Sequence, residues 1–450
     1  MKGFVPTPPH LVDVMVGKLF RDRQPQPEET LLDPGCGTGA FLLGVVRWCA
    51  ARGLPLPRMV GIESNPDLLR EARGQLGHLD RITLLNEDFL EARRDAFDYI
   101  IGNPPYVPIT GLSVEERTMY RRRYATATGR FDLYLLFFDQ ALKLLRPNGR
   151  LVFVTPEKFL YVQTAEPLRR QLADIGVEEI ELIEESVFGE LITYPTITTV
   201  SGTRSTGETE IRLRDGTVRR VRLGTAGSSW LPLLNGVARA SSGPVLADAF
   251  LRISCGVATG ADNVFVVRDS ELPPSLRRYA HATLSGRELV PGKGIRPTRW
   301  MLVPYTREGA LLAEGELGAL GDYLRSPARY ARLLQRTCVA RKPWYAFHEN
   351  PPLDDILQPK ILCKDIGARP WFVVEERGDI VPRHSVYYLV PRGPAQIHDL
   401  CAYLNSDVAL EWFMAHCQRA ANGFVRLQSH VLKQAPLPDH FLSAPQLACV

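Results

Sequence analysis

The stretch Phe97-Asp98-Tyr99-Ile100-Ile101-Gly102-Asn103-Pro104-Pro105-Tyr106 joins an apolar, β-favouring run to a doubly prolyl tetrapeptide. The run over 97–102 predicts a buried strand. Two successive prolines supply no backbone N–H, fix φ and keep Asn103 out of the helical region. Residues 103–106 therefore make a stiff, extended lip at the strand's C-terminal end, where open α/β sheets bind ligands. The lip offers a side-chain amide, backbone carbonyls and an aromatic face. That set suits a planar exocyclic amine, a poor nucleophile because its lone pair is delocalised into its ring. The Asn103 side-chain oxygen and the Pro104 carbonyl can accept its two N–H groups and stabilise charge developing on nitrogen. Tyr106 can hold the ring by stacking. Alone, the tetrapeptide is equally well a Pro-rich turn, and the flanking sequence decides between the two.

Upstream, Thr7-Pro8-Pro9 precedes Leu11, Val12, Met15, Val16 and Leu19 at helical spacing. The prolines suit a helix start, and Thr7 is placed to cap it. Thr30 to Pro34 reads as a strand, Gly35-Cys36-Gly37-Thr38-Gly39 as a turn and Ala40 to Val46 as the opening of a helix. The glycines let the backbone approach a ligand, with free N–H groups facing it. The spacing is not that of a Walker phosphate loop. A second strand, Met59 to Ile62, ends at Glu63, whose carboxylate is placed for the two hydroxyls of a ribose. A third, Ile82 to Asn86, leads to Asp88, an acceptor for an adenine amino group, and Phe89, which can cover the ring. Each acid alone is an ordinary strand-end residue. Successive strand ends in this order suggest a nucleoside-bearing ligand.

Downstream, Val107 to Arg130 reads as a loop carrying Arg117, Arg121, Arg122, Arg123 and Arg130, a solvated face or a set of phosphate contacts. Phe131 to Leu145 is an apolar helix stopped by Arg146-Pro147-Asn148-Gly149. Leu151 to Thr155 is a buried strand, and Glu178 to Phe188 and Thr196 to Val200 complete the sheet. Phe188 and Tyr194 lie between these last two, and Phe188 is the first choice for a second aromatic wall. Residues 211–223 form a hairpin with an Asp215-Gly216 turn, and Gly224 to Gly243 reads as a linker. The remainder has short strands at 251–254, 263–267, 360–363 and 384–390, and helices at 398–404 and 407–419. Arg and Lys side chains there are interleaved with Trp300, Tyr305, Tyr330, Trp344, Tyr345 and Trp371, which suits a nucleic-acid face.

At 450 residues the chain exceeds a single core. We expect domains over 1–240 and 241–450. Its 45% hydrophobic and 23% charged residues are those of a globular protein, and a net charge of +4 permits but does not demand a nucleic-acid partner. Eight scattered cysteines without a C-x-x-C pair indicate neither a metal site nor a disulfide framework. With no secretory signal or long apolar run, a cytoplasmic protein without membrane association is expected.

The ordered set Thr7-Pro8-Pro9, Asp33 to Gly39, Glu63, Asp88-Phe89 and Asn103 to Tyr106 resembles the γ-class (Taq-type) adenine-N6 DNA methyltransferases of restriction–modification systems. The resemblance continues more loosely through Gly286 to Leu289, Lys360 to Pro391 and Tyr403 to Ser406. It implies an α/β fold: a Rossmann-like S-adenosylmethionine-dependent methyltransferase sheet with a C-terminal α+β target-recognition domain. It implies S-adenosylmethionine as cofactor and double-stranded DNA as substrate. Thr7, Asp33, Gly35, Gly37, Glu63, Asp88 and Phe89 would bind the cofactor. Asn103, Pro104 and Tyr106 would receive the target adenine, with Phe188 as the second wall. Asn65 departs from the family's acid two places after Glu63. The length of the segment 189–194 is also unusual. A monomer is expected, and any cognate restriction endonuclease would be a separate chain, since this one begins at the cofactor motifs. The alternative is a protein-glutamine N5 methyltransferase, because an amide nitrogen poses the same chemical problem. The opening Thr-Pro-Pro and the basic second half weigh against it.

Overall fold

A computed structural model describes residues 5–188, 194–202, 207–236, 243–420 and 424–442. The chain divides into two compact units, Met1–Ala238 and Arg239–Val450.

The first unit follows the apolar pattern closely. Its elements are α1 (Pro9–Leu19), β1 (Thr30–Asp33), α2 (Ala40–Ala50), β2 (Arg58–Ile62), α3 (Pro66–Leu76), β3 (Ile82–Leu85) and β4 (Phe97–Gly102). After them come α4 (Val114–Arg123), α5 (Leu133–Leu144), β5 (Leu145–Pro156), α6 (Glu166–Ile175), β6 (Val177–Leu182), β7 (Pro195–Ser201), β8 (Thr209–Arg212) and β9 (Val218–Val221). The strands form one sheet in the order β3-β2-β1-β4-β5-β7-β6-β8-β9. From β3 to β5 all pairings are parallel, whereas β7 runs antiparallel to both β5 and β6.

Parallel strands covered on both faces must be apolar at every position. Here Leu31, Tyr99, Ile101, Val152 and Val154 join one buried cluster with α1 and α2. Their neighbours Leu32, Ile100, Leu151 and Phe153 join another with α5 and α6. Successive side chains thus alternate between two cores, as strand geometry requires. Strand order reverses between β1 and β4, so a crevice opens beyond their C-terminal ends. The glycine turn leaves β1 at that point, and Asn103 leaves β4.

Four local expectations change. The segment after Tyr106 contains α4, closed by a capping box in which Glu116 N–H donates to Ser113 Oγ and Ser113 N–H donates to the Glu116 carboxylate. Arginines at 121–123 hid this helix because it has almost no apolar stripe. The predicted strand 178–188 ends at Leu182, and Glu185–Phe188 is a 3-10 turn. The hairpin after residue 208 is no separate module: β8 pairs with β6 and extends the sheet. Finally, Thr7 does not cap α1, whose N-cap position is Pro8, without a side-chain hydrogen bond.

The second unit contains a sheet of Phe250–Cys255 (β10), Lys360–Lys364 (β14), Phe372–Glu375 (β16) and Val386–Pro391 (β17), once β11 (Val266–Arg268), β12 (Ala280–Thr283), β13 (Arg299–Leu302) and β15 (Ile366–Gly367) are counted in chain order. The order is β10-β17-β14-β16, all antiparallel. One face buries Ile361, Cys363 and Leu389 with the helices Ile397–Leu404 and Asp407–His416. The other buries Leu362, Tyr388 and Val390 in a second cluster. The stretch 263–267, read as one strand, is a helical turn (Asp262–Phe265) followed by β11. The helices Gly318–Leu324 and Pro327–Leu334 were not anticipated. Among the described residues, no helix is long and apolar enough to cross a membrane.

Candidate active site

A cavity of about 540 Å³ lies beyond β1 and β4, within the range of small-ligand sites. Of the residues singled out from the sequence, Thr7, Gly35, Glu63, Asp88, Phe89 and Asn103 line it. Asp33, Gly37, Pro104, Tyr106 and Phe188 do not.

The glycine turn is tied to β2. Cys36 N–H donates to the Ile62 carbonyl at 2.9 Å, and Gly37 N–H donates to Glu63 Oε2 at 3.0 Å. The other Glu63 oxygen accepts from Asn65 N–H at 2.8 Å. Asn65 in turn caps α3 by accepting from Asp67 N–H. A carboxylate oxygen has two lone-pair directions, so each Glu63 oxygen retains acceptor capacity. Gly39 adopts φ +89°, and a Cβ there would stand 2.6 Å from Leu76 Cδ1. This turn therefore needs glycine for both backbone and space.

Asp33 lies completely buried beneath the turn. Burial raises its carboxyl well above the ordinary aspartate range; the Gly35 backbone N–H opposes that shift and Glu63 adds to it. Gly102 leaves it room, since a Cβ there would lie 3.2 Å from Asp33 Oδ1. Asp33 lies outside the cavity's lining, and neither of its buried carboxylate oxygens has a hydrogen-bond partner among the described residues.

Asp88 accepts from Leu90 N–H at 2.9 Å and from the Tyr120 hydroxyl at 3.3 Å. Burial, with Asp88 second, raises the Tyr120 phenol. Tyr120 comes from α4 and lines the cavity. Reading 107–130 as a loop concealed it; the capping signal Ser113-x-x-Glu116 was the available clue. Phe89 packs on Phe137 of α5, ring centroids 5.1 Å apart. Phe137 and Pro105 also line the cavity and were not anticipated.

The Asn103 amide is held from its nitrogen side. Its Nδ2 donates to the Val5 carbonyl and to Thr7 Oγ1, each at 3.1 Å. Its Oδ1 is buried and has no hydrogen-bond partner. An orphaned buried acceptor costs free energy, and a donor bound beside Asn103 in the cavity it lines would supply the missing partner. Tyr106 turns instead toward β5: its hydroxyl lies 3.5 Å from the Val154 carbonyl oxygen, and its ring meets Tyr134 edge to face at 6.4 Å. Burial raises its phenol. Phe188, half-buried, packs against the cluster formed by α1 and α2. Residues 189–193, within the segment noted for its length, lie outside the described residues. Beyond them Tyr194 is pinned by Glu157 N–H, which donates to its carbonyl at 2.7 Å, and by Arg214, 5.6 Å from its ring.

The residues fit S-adenosylmethionine. The cavity brings together a turn with a close-approaching backbone, a strand-end carboxylate with spare acceptors, a second carboxylate and apolar ring surface from Phe89. In the second unit, several basic side chains have internal partners. Arg336 is buried and donates to the Thr259 carbonyl at 2.8 Å, and Arg383 pairs with Glu288 at 2.7 Å. Tyr305 and Tyr345 are core residues. Arg287, Lys293, Arg296, Arg332, Arg341 and Arg369 are exposed.

Comparison with known proteins agrees with this geometry. Residues 62–188 match the Eco57I restriction-modification methylase family, and residues 320–437 match the TaqI-like C-terminal specificity domain. The chain is 25% identical to the Type II methyltransferase M.PaeR7I of Pseudomonas aeruginosa, covering 97% of this chain and 86% of that one. It is 25% identical to M.XhoI of Xanthomonas vasicola, covering 92% and 87%. Over 41% of each chain it is 33% identical to M.TthHB8I of Thermus thermophilus. Among solved structures, the Type IIL restriction-modification enzyme MmeI in complex with DNA matches with a TM-score of 0.57 at 16% identity, over 83% of this chain and 58% of that one. That likeness speaks to the fold. The methylase match spans Glu63, Asp88, Asn103 and Phe188; Thr7 and the glycine turn lie before its first residue.

Proposed function

The chain is a site-specific, S-adenosylmethionine-dependent DNA methyltransferase of the restriction–modification kind, and we propose that its acceptor is the N6 amine of an adenine turned out of the duplex. The observation that carries this is the unpartnered Asn103 Oδ1 at the strand-order reversal, on a lip that two prolines stiffen. An exocyclic amine placed there donates one N–H to Oδ1 and the other to the Pro104 carbonyl. As nitrogen gains positive charge, those fixed dipoles stabilise it without reorganising. S-adenosylmethionine supplies, when bound, a methyl group on a sulfonium, already activated for transfer. The chain's own task is therefore alignment. Glu63 holds the ribose hydroxyls, Asp88 and Phe89 hold the cofactor's base, and Asn103 fixes the acceptor.

The target nitrogen sits within a base pair, so the base must leave the stack, which costs about a few kcal/mol. Stacking on Tyr106 offsets part of that cost, with Phe188 as the second wall. Residues 239–450 act as the target-recognition domain, and exposed side chains such as Arg287, Lys293 and Arg296 contact phosphates or base edges.

The test is incubation with methyl-labelled S-adenosylmethionine and unmodified duplex DNA, followed by digestion to nucleosides. Label is expected in N6-methyladenine. Label in a cytosine, or in protein with none in DNA, overturns the reading.

A further inference from the structure

The two donor contacts of Asn103 carry more than support for its backbone. An asparagine amide can sit in two orientations that differ by exchange of oxygen and nitrogen, almost equal in shape and opposite in function. Only one presents an acceptor to an incoming amine. In the other, –NH2 would face –NH2, and the amine would meet a donor. Nothing in the Pro104-Pro105 lip distinguishes them.

The distinction comes from residues 5–7, about a hundred positions earlier in the chain. The Val5 carbonyl is an obligate acceptor, so only Nδ2 can face it. Thr7 Oγ1 stands at the same 3.1 Å from Nδ2. Together they leave Oδ1 directed away, buried and unpartnered. The same three residues line the cavity. Their position is fixed from behind: Pro8 and Pro9 stiffen the entry to α1, and α1 buries Leu11, Val12, Met15 and Val16. Val12 approaches α2 where Gly44 has no side chain, and a Cβ there would stand 2.4 Å from Val12 Cγ1. The Thr7 hydroxyl is thus held by a seated helix and is not free to follow a ligand.

We infer that Thr7 is a positioning residue: the Val5 carbonyl sets the polarity of the Asn103 amide, and the Thr7 hydroxyl accepts the second Nδ2 hydrogen and fixes the amide plane so that an acceptor faces the target amine. This rests on the proposed amine-methyltransferase reading of the site. It differs from the role implied by the family resemblance, in which Thr7 is a ligand of the cofactor. The two roles separate in the kinetics: a cofactor ligand changes affinity, and a group that fixes the amide plane changes the rate of the transfer step at saturation.

The experiment uses the full chain, with Thr7→Val, Thr7→Ser and Asn103→Ala. S-adenosylmethionine affinity is measured by equilibrium dialysis, and single-turnover methylation is measured on unmodified DNA at saturating cofactor. Thr7→Val keeps the side chain's shape and loses its oxygen. It is expected to bind cofactor within twofold of the parent and to transfer methyl at least tenfold more slowly. Thr7→Ser keeps the oxygen and should recover to within threefold. A melting temperature within a few degrees of the parent shows that Thr7→Val has folded. Should it misfold, the Thr7→Ser comparison is replaced by Thr7→Asn, which also offers an oxygen acceptor and is expected to transfer faster than Thr7→Ala. Tenfold weaker cofactor binding by Thr7→Val, with an unchanged rate at saturation, overturns the inference, as does an unchanged rate and affinity. If Asn103→Ala itself methylates at the parental rate, the proposed function of the site fails as well. If Asn103→Ala is inactive and Thr7→Val is fully active, only the inference about Thr7 fails.

Discussion

Asn103 is a neutral amide, and its use follows from what it cannot do. It takes no proton, so its contribution is a fixed dipole aimed at the nitrogen that becomes positive. Removing one such preorganised partner costs about 100- to 1000-fold in rate. Asn103→Ala is expected to lose that much in single-turnover methylation and to keep cofactor affinity within threefold, measured in the same preparation. Glu63 predicts the opposite pattern. Its two oxygens already hold Gly37 N–H and Asn65 N–H, and losing a charge-assisted acceptor costs roughly 1.5–3 kcal/mol. Glu63→Ala should weaken S-adenosylmethionine binding by about tenfold or more, with rate recovered at high cofactor; isothermal titration checks it. Asp33 gives a pH dependence. Its folded carboxyl is raised well above the ordinary value by burial, so the neutral form is favoured in the fold. That stabilisation is complete below the usual aspartate value of about 3.9 and is lost as pH rises through the raised value. Urea unfolding of cofactor-free protein should therefore show stability falling, as pH rises above about 4, more steeply in the parent than in Asp33→Asn. Equal slopes would show that Asp33 is not the group responsible.

At the scale of elements, the site is two strand ends and the turns leaving them. The apolar run of 97–102 and the prolines after it made β4 and its lip legible in the sequence, because a doubly covered strand leaves almost no polar position. The glycine turn was legible for a related reason. Gly39 at φ +89° faces Leu76 at a distance that no Cβ tolerates. A left-handed non-glycine residue costs about 1–2 kcal/mol before any clash, so Gly39→Ala should lower unfolding free energy by about 2 kcal/mol or more in denaturant titration. A shift near zero would mean that α3 yields to the methyl group. Helix α4 was the element that sequence reading lost. Its surface-facing arginines read as a loop, and its one cavity-facing aromatic, Tyr120, follows from where α4 docks. Stability there rests partly on the Ser113 cap, whose removal by Ala typically costs about 1 kcal/mol.

In the whole molecule, every residue lining the cavity lies between Val5 and Phe137, inside the first compact unit. A chain ending at residue 238 is therefore expected to bind S-adenosylmethionine within threefold of the full chain and to lose methylation at specific DNA sites. Loss of cofactor binding together with a folded far-ultraviolet spectrum would show that the second unit completes the pocket. Sequence alone determined the class of sheet, the succession of strand-end residues and the chemistry of the prolyl lip. Those are local properties, written in alternation, in proline and glycine, and in the residue that ends each strand. Residue patterning alone could not fix the partner of Thr7, whose pattern suits a helix cap equally well, nor find Tyr120, nor show that Tyr106 and Phe188 stand outside the lining of the main cavity. Only the fold decides these, because each depends on contacts between residues far apart in the chain. The amide of Asn103 has two orientations of nearly equal volume, and the Val5 carbonyl, nearly a hundred residues away, selects between them.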